Sequence, residues 1–250
     1  MTASLRALVS HLIDYAGLYP PAALPLEEVL ERYRSYRTSE DAWILNRLVL
    51  PASKLANVKI EEAWRITLLL DTDPGPLPKQ VETTESGQAN ARPTYCEAPL
   101  EQISGCFAKI RTGGLTPEAI PSSQHVAEFL RAAAARRLPF KATAGLHHPI
   151  RAEHALTYAP DAPRALMHGF LNVFTAAAFA WFDAPVSVLV GILEERGPCA
   201  FEFGESELRW RGHTLSTSQI AAARAEFAHS FGSCSFEEPV AALRDLELLP

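Results

Sequence analysis

The stretch LPFKATAGLHHPI, residues 138–150, places a lysine, a threonine, a glycine and two adjacent histidines directly after an apolar run. Side chains on a strand alternate between faces, so a strand over 140–145 turns Phe140 and Ala142 one way and Lys141 and Thr143 the other. A strand running into reactive groups, a glycine and a loop suits an α/β barrel, whose sites lie at the C-terminal ends of its strands. Lys141 is therefore expected in a polar ring at a barrel mouth.

Working outward, strand-like runs also occur at 12–19, 44–51, 65–71, 80–85, 94–99, 107–113 and 230–236. Helical patterns cover 24–36, 122–137 and 164–182, and 237–249 closes the chain. Such alternation implies parallel strands joined by crossover helices. The predicted fold is a single, somewhat irregular (β/α)8 TIM-type barrel spanning residues 1–250. Residues 72–80 and 86–93 are too short for full helices, so the third and fourth crossovers are expected to be abbreviated. Residues 200–212, AFEFGESELRWRG, read as an inserted β-hairpin turning around Gly204 to Ser206.

A chain of 250 residues, 48% hydrophobic, is long enough for one large core. The net charge of −6 gives no basic face for nucleic acid, which leaves a small anionic molecule as the expected partner and a homo-oligomer open. Four cysteines without a CxxC pair read as reduced thiols in a cytoplasm. The N-terminal segment lacks the pattern of a signal peptide. The longest apolar run, residues 169–182, falls short of the ~20 residues of a bilayer span and reads as a buried helix, so no membrane partner is expected.

Strand parity carries the functional argument. One parity holds Asp14, Arg47, Asp71, Glu82, Glu97, Lys109 with Arg111, and Lys141 with Thr143; the other is mostly apolar or cysteine. In a barrel the apolar parity faces the helices and the charged parity faces the lumen. Buried ions cost several kcal/mol each, on the order known for buried ion pairs, so function is the expected reason to keep them. A half-exposed antiparallel sheet would show the same alternation. Gly113 and Gly114 end the sixth strand, and Thr116 with Pro117 reads as a helix start, an arrangement suited to an anion. A bare Gly-Gly also serves as a tight turn, and Lys109 and Lys141 also read as ion-bridged lumen lysines.

His147, His148 and His168 lie near one strand end and, with a carboxylate, offer donors for a divalent metal. Alternatively His147 is a substrate clamp or general acid. No cofactor is required by the primary reading. Residues 231–239, FGSCSFEEP, resemble a helix-capping segment.

The combination DYAGLYPPA, KIRTGG, FKATAGLHHP, MHGFLN and FGSCSF resembles a group of bacterial proteins to which no activity is attached, over most of the chain. More locally, Lys141, Thr143 and Gly145 resemble the Schiff-base strand of deoxyribose-phosphate-type aldolases, with Lys109 matching the second lysine of such a site. YCEAPL with KIRTGGLTPEA is similar to the enolase superfamily pattern of a metal-binding Glu strand and a Lys strand.

The expected function is a lyase or isomerase acting on a small anionic carbonyl compound through a lysine imine or an enolate. Lys141 is the nucleophile or base, Lys109 its electrostatic partner, and Glu97 and Asp71 carry protons. Arg111, Gly113 and Gly114 clamp the anion, and Thr143, His148, Arg47 and Asp14 line the substrate site. The alternatives are metal-dependent hydrolysis or enolisation through His147, His148, His168 and carboxylates, and a barrel that binds without catalysis.

Overall fold

Strands this short have too little surface to stand alone, and they gain stability by pairing into one sheet. The computed structural model describes residues 1–73 and 94–250 and the backbone of 81–84. The first half of the chain forms α1 (Ala3–Val9), β1 (Ile13–Tyr15), α2 (Leu26–Thr38), β2 (Leu45–Pro51), β3 (Ile66–Leu69), β4 (Val81–Thr84), β5 (Thr94–Cys96), β6 (Phe107–Arg111) and α3 (Ser123–Ala135). Then come β7 (Phe140–Thr143), β8 (Ala152–Ala155), β9 (Arg164–Met167), α4 (Phe170–Trp181), α5 (Val186–Glu194), β10 (Phe201–Phe203), β11 (Glu207–Trp210), β12 (His213–Ser216), α6 (Thr217–Glu226), β13 (Ala228–Ser233) and α7 (Glu237–Asp245). Eight strands pair in parallel as a closed ring in the order β1, β13, β7, β6, β5, β4, β3, β2.

Each of the expected stretches overlaps one ring strand, β13 beginning two residues before its stretch, yet the expected (β/α)8 TIM-type barrel is not the fold. Its defining alternation of strand and helix fails. Among the described residues no α-helix stands between β2 and β6, where residues 52–57 and 100–102 form only 3-10 turns. Between β7 and β13, by contrast, lie the antiparallel pair β8–β9, two helices, a three-stranded sheet and α6. The helical layer is thus concentrated on one side of the ring. The expected hairpin at 200–212 gains β12 as a third strand, because Glu207–Trp210 pairs with both neighbours. The helix expected from residue 164 starts at Phe170, since Arg164–Met167 is drawn into pairing with β8.

Packing fixes which parity faces outward. Phe140 of β7 and Phe231 of β13 meet Phe174 of α4, with ring centroids 6.2 and 5.9 Å apart. All of α4 is buried, as a helix that is apolar all round requires. Each aromatic so buried contributes ~1.5–3 kcal/mol relative to exposure. α3 starts where the Ser122 hydroxyl accepts the His125 amide and buries Val126, Ala127, Leu130, Ala133 and Ala134, one face at helical spacing. With Phe140, Ala142 and Phe231 outward, Lys141, Thr143 and Ser230 face the interior.

Cys96 and Cys106 form a disulfide with Cα atoms 6.3 Å apart, which corrects the expectation of reduced thiols; Cys199 and Cys234 are free. Tyr95 pairs with Phe107 and Cys96 with Ala108, so the two cysteines approach on the outward parity of adjacent strands. No helix among the described residues is long and apolar enough to cross a membrane.

Candidate functional site

The interior of the ring is identified by contacts that only an interior can make. Lys141 Nζ, on β7, lies 2.9 Å from Asp14 Oδ2 on β1 and 3.4 Å from Thr67 Oγ1 on β3. β3 stands opposite β7 in the ring. Nζ also lies 4.7 Å from the centre of the Tyr95 ring on β5. Asp14, Lys141 and Thr67 are 2%, 4% and 2% exposed, so the pair is desolvated, and its hydrogen bonds must offset that cost. Asp14 receives two more: Asn46 Nδ2 donates to Oδ1 at 2.6 Å and Ser230 Oγ to Oδ2 at 2.8 Å.

Two irregularities complete this group. Ile13 pairs with Leu45 but Tyr15 with Leu48, so β2 carries an extra residue and Asn46 turns toward Asp14 beside Arg47. β13 has a second shift between Ala228 and Ser230, and His229 there meets Tyr95, its Nδ1 2.6 Å from the phenol oxygen. Burial, followed by the charges of Lys141 and Arg224, pushes the His229 pKa down to about 4. Nδ1 of the neutral ring accepts the Tyr95 hydroxyl proton. Beneath, Arg224 donates to the carbonyls of Ala228, His229, Ser10 and His11, where β13 and β1 begin. Neither Asn46 nor His229 was legible, because a bulge breaks the period of two on which the sequence argument rests.

Lys109 pairs in register with Lys141 and is 8% exposed; its Nζ lies 3.4 Å from Glu97 Oε2. Glu97 also accepts Arg111 Nε at 2.9 Å, at an exposed edge. Lys109, Lys141 and Asp14 thus share the lumen, with Glu97 and Arg111 at its mouth and Thr143 in register with Arg111. Arg47 donates to the Ile66 carbonyl at 3.4 Å. The Glu82 side chain lies outside the described residues.

Other expected members are placed elsewhere. Asp71 is exposed, and its carboxylate accepts the Ser53 hydroxyl at 2.5 Å and the Ser53 amide at 2.9 Å, bonds that hold its pKa below the usual range. Its expected role as a lumen proton carrier is corrected: β3 ends at Leu69, before parity can direct it. Gly113 is explained by packing, since a Cβ there would fall 2.9 Å from the Cα of Gly145, and Gly114 by a 2.6 Å approach to the Ala119 Cβ. The helix start read at Thr116 and Pro117 is a 3-10 turn over Pro117–Ala119, so the glycine part of the expected anion clamp, Gly113 and Gly114, is a tight join at the ends of β6 and β7, while Arg111 stays at the mouth.

The histidines divide. His168 Nε2 lies 2.8 Å from the Pro121 carbonyl and its Nδ1 3.0 Å from Arg151 Nη1, and burial pushes its pKa down to about 4. The His148 ring stacks on His154 at 3.4 Å, and burial, then the neighbouring histidines, lowers its pKa to about 4. The expected metal trio is not assembled: among the described residues no three His, Cys, Asp or Glu side chains form a metal-holding group. His147 instead joins Glu238, with Nδ1 2.7 Å from Oε2, and its Nε2 lies 3.8 Å from Cys234 Sγ. MHGFLN holds this loop: the amides of Phe170 and Leu171 donate to the carbonyls of His148 and Pro149, and Asn172 Oδ1 accepts the Arg151 amide.

Fold and site together define an α/β protein built on a closed parallel sheet with a buried ionic lumen. Comparison with protein-family models, with curated proteins and with solved structures finds no match for the chain.

Proposed function

We propose that the protein is an enzyme, a lyase or isomerase acting on a small anionic carbonyl compound, with Lys141 forming an imine or stabilising an enolate. The observation that supports this reading is the buried pair in which Lys141 Nζ stands 2.9 Å from Asp14 Oδ2. A proton on Nζ passes to the carboxylate along one hydrogen bond, leaving a neutral amine in a desolvated site. The amine adds to the carbonyl carbon, and Asp14 returns the proton to the hydroxyl that departs as water. The iminium then draws electrons from an adjacent C–C or C–H bond, and water later reverses the addition. Asn46 and Ser230 keep Asp14 oriented through both transfers. Lys109 places a second cation one strand away, where it stabilises developing negative charge. Arg111 binds the substrate anion at the mouth by exchanging Glu97 for it.

Borohydride trapping tests this. The protein is incubated with a panel of short aldehydes and 2-keto acids, reduced, digested and mapped. An adduct confined to Lys141 is expected, and Lys141→Arg abolishes it. A panel that leaves Lys141 unmodified rejects the imine, and a barrel that only binds would give that result.

A further inference from the structure

The Lys141 chemistry leaves unused a second cluster, built where four separate segments meet. Cys234 is the first residue beyond β13; it is a free thiol and only 5% exposed. Its Sγ lies 3.8 Å from His147 Nε2 and 3.7 Å from the hydroxyl of Tyr158, in the β8–β9 turn. His147 lies in the loop after β7, and its other nitrogen is 2.7 Å from Glu238 Oε2 in the first turn of α7. Glu238 is in turn fixed by its own amide, which donates to the Ser235 hydroxyl at 3.1 Å.

We infer that Cys234, His147 and Glu238 form a nucleophile, base and orienting carboxylate at the ends of β7 and β13, a thiol site for acyl transfer from small esters or thioesters. A packing cysteine needs no such arrangement. Here the imidazole is held by both nitrogens, one on the sulfur and one on a carboxylate, which is the order in which a thiol is activated. Burial works against charge on His147, but its hydrogen bonds to Cys234 and then Glu238 outweigh it and push its pKa up to about 9. Glu238 is likewise disfavoured as an anion by burial, and the His147 hydrogen bond overrides this and holds its pKa down. His148 and His154, the other imidazoles alongside, are kept neutral chiefly by burial.

Tyr158 supplies the remaining parts. The residue is 56% exposed although its hydroxyl reaches a buried sulfur and also hydrogen-bonds Glu238, so the phenol stands between solvent and the cluster and its ring is free of the core. Burial raises its pKa, which keeps the hydroxyl a donor. An oxygen on a carbon bonded to Sγ comes within its reach. In the reaction the Cys234 sulfur adds to the acyl carbon and the bond to the leaving alcohol or thiol breaks. That leaving group takes the proton from His147 Nε2. Water then attacks the thioester and gives a proton to Nε2, the C–S bond breaks to release the acid and leave the Cys234 sulfur paired with the protonated His147 as at the start, so ester or thioester and water become acid and alcohol or thiol.

The test uses the whole protein with p-nitrophenyl acetate and, separately, iodoacetamide. Expected is a burst of p-nitrophenolate, with acetyl found on Cys234, and alkylation of Cys234 faster than that of Cys199, the exposed free thiol, despite its burial. In Glu238→Gln, which removes the carboxylate that helps hold His147 charged, the alkaline limb of the burst's pH profile moves to lower pH with the circular dichroism spectrum unchanged, a shift a merely structural carboxylate would not produce. Tyr158→Phe, at an exposed position, slows the burst roughly tenfold. Acetylation confined to Cys199 or to lysines, alkylation of Cys234 slower than that of Cys199, or a pH profile unmoved in Glu238→Gln overturns the proposal.

Discussion

Asp14 accepts hydrogen bonds from Lys141, Ser230 and Asn46, all from within the ring. Asp14→Asn replaces one acceptor oxygen by a donor facing donors, so it behaves as a deletion of the charge rather than an isostere. Losing one partner of a buried ion pair costs ~3–5 kcal/mol, and urea denaturation of Asp14→Asn should show a loss of that size. Replacing both partners, as in Asp14→Leu with Lys141→Met, removes the desolvation as well as the attraction. That double variant is expected to recover much of the stability while still failing to trap a carbonyl adduct. A double variant no more stable than Asp14→Asn would mean that the pair is needed for the fold itself.

At the scale of elements, close approaches set the positions of the strand ends. Gly113 meets Gly145 where β6 and β7 finish, so Gly113→Ala forces backbone apart and should cost ~1–3 kcal/mol, read as a lower thermal midpoint. Asn172 spans three segments: its Nδ2 donates to the carbonyls of Ile192 at 2.7 Å and Glu195 at 2.8 Å, closing α5, while Oδ1 accepts the Arg151 amide. The β5–β6 disulfide leaves two thiols free, so thiol titration of the unfolded, unreduced protein should count two and the reduced protein four. The strand positions were legible because a period-two pattern is local. Length alone argues against full helices in the crossovers at 72–80 and 86–93, which lie almost wholly outside the described residues; the 3-10 turns at 52–57 and 100–102 were not legible, since so short a turn leaves no periodic signature. The pairing of Cys96 with Cys106 depends on strand register, which a spacing in sequence does not contain.

For the molecule as a whole, the buried histidines set a pH window. His148, His168 and His229 have pKa values of about 4 in the folded chain against an ordinary 6.5. Between those values the unfolded chain binds more protons, so stability falls as pH drops from about 6.5 toward 4. His147 runs the other way. Its folded value of about 9 exceeds 6.5, so its contribution is complete below 6.5 and is lost as pH rises through 9. Urea midpoints across this range should peak near neutrality, and His147→Gln should flatten the alkaline side alone; an unchanged alkaline slope in that variant would remove His147 as its cause.

By itself the sequence determined roughly where the ring strands lie and that Lys141, Lys109 and Asp14 stand on the polar parity of theirs, because alternation and apolar runs are properties of a few neighbouring residues. It therefore located Lys141, Lys109 and Asp14 in one lumen. The tertiary structure alone decided that Asp71 leaves this group, that Asn46 and His229 enter it through bulges, and that Cys234 and Glu238 meet His147. These outcomes rest on register, ring closure and contacts between residues far apart in the chain, which no local pattern encodes.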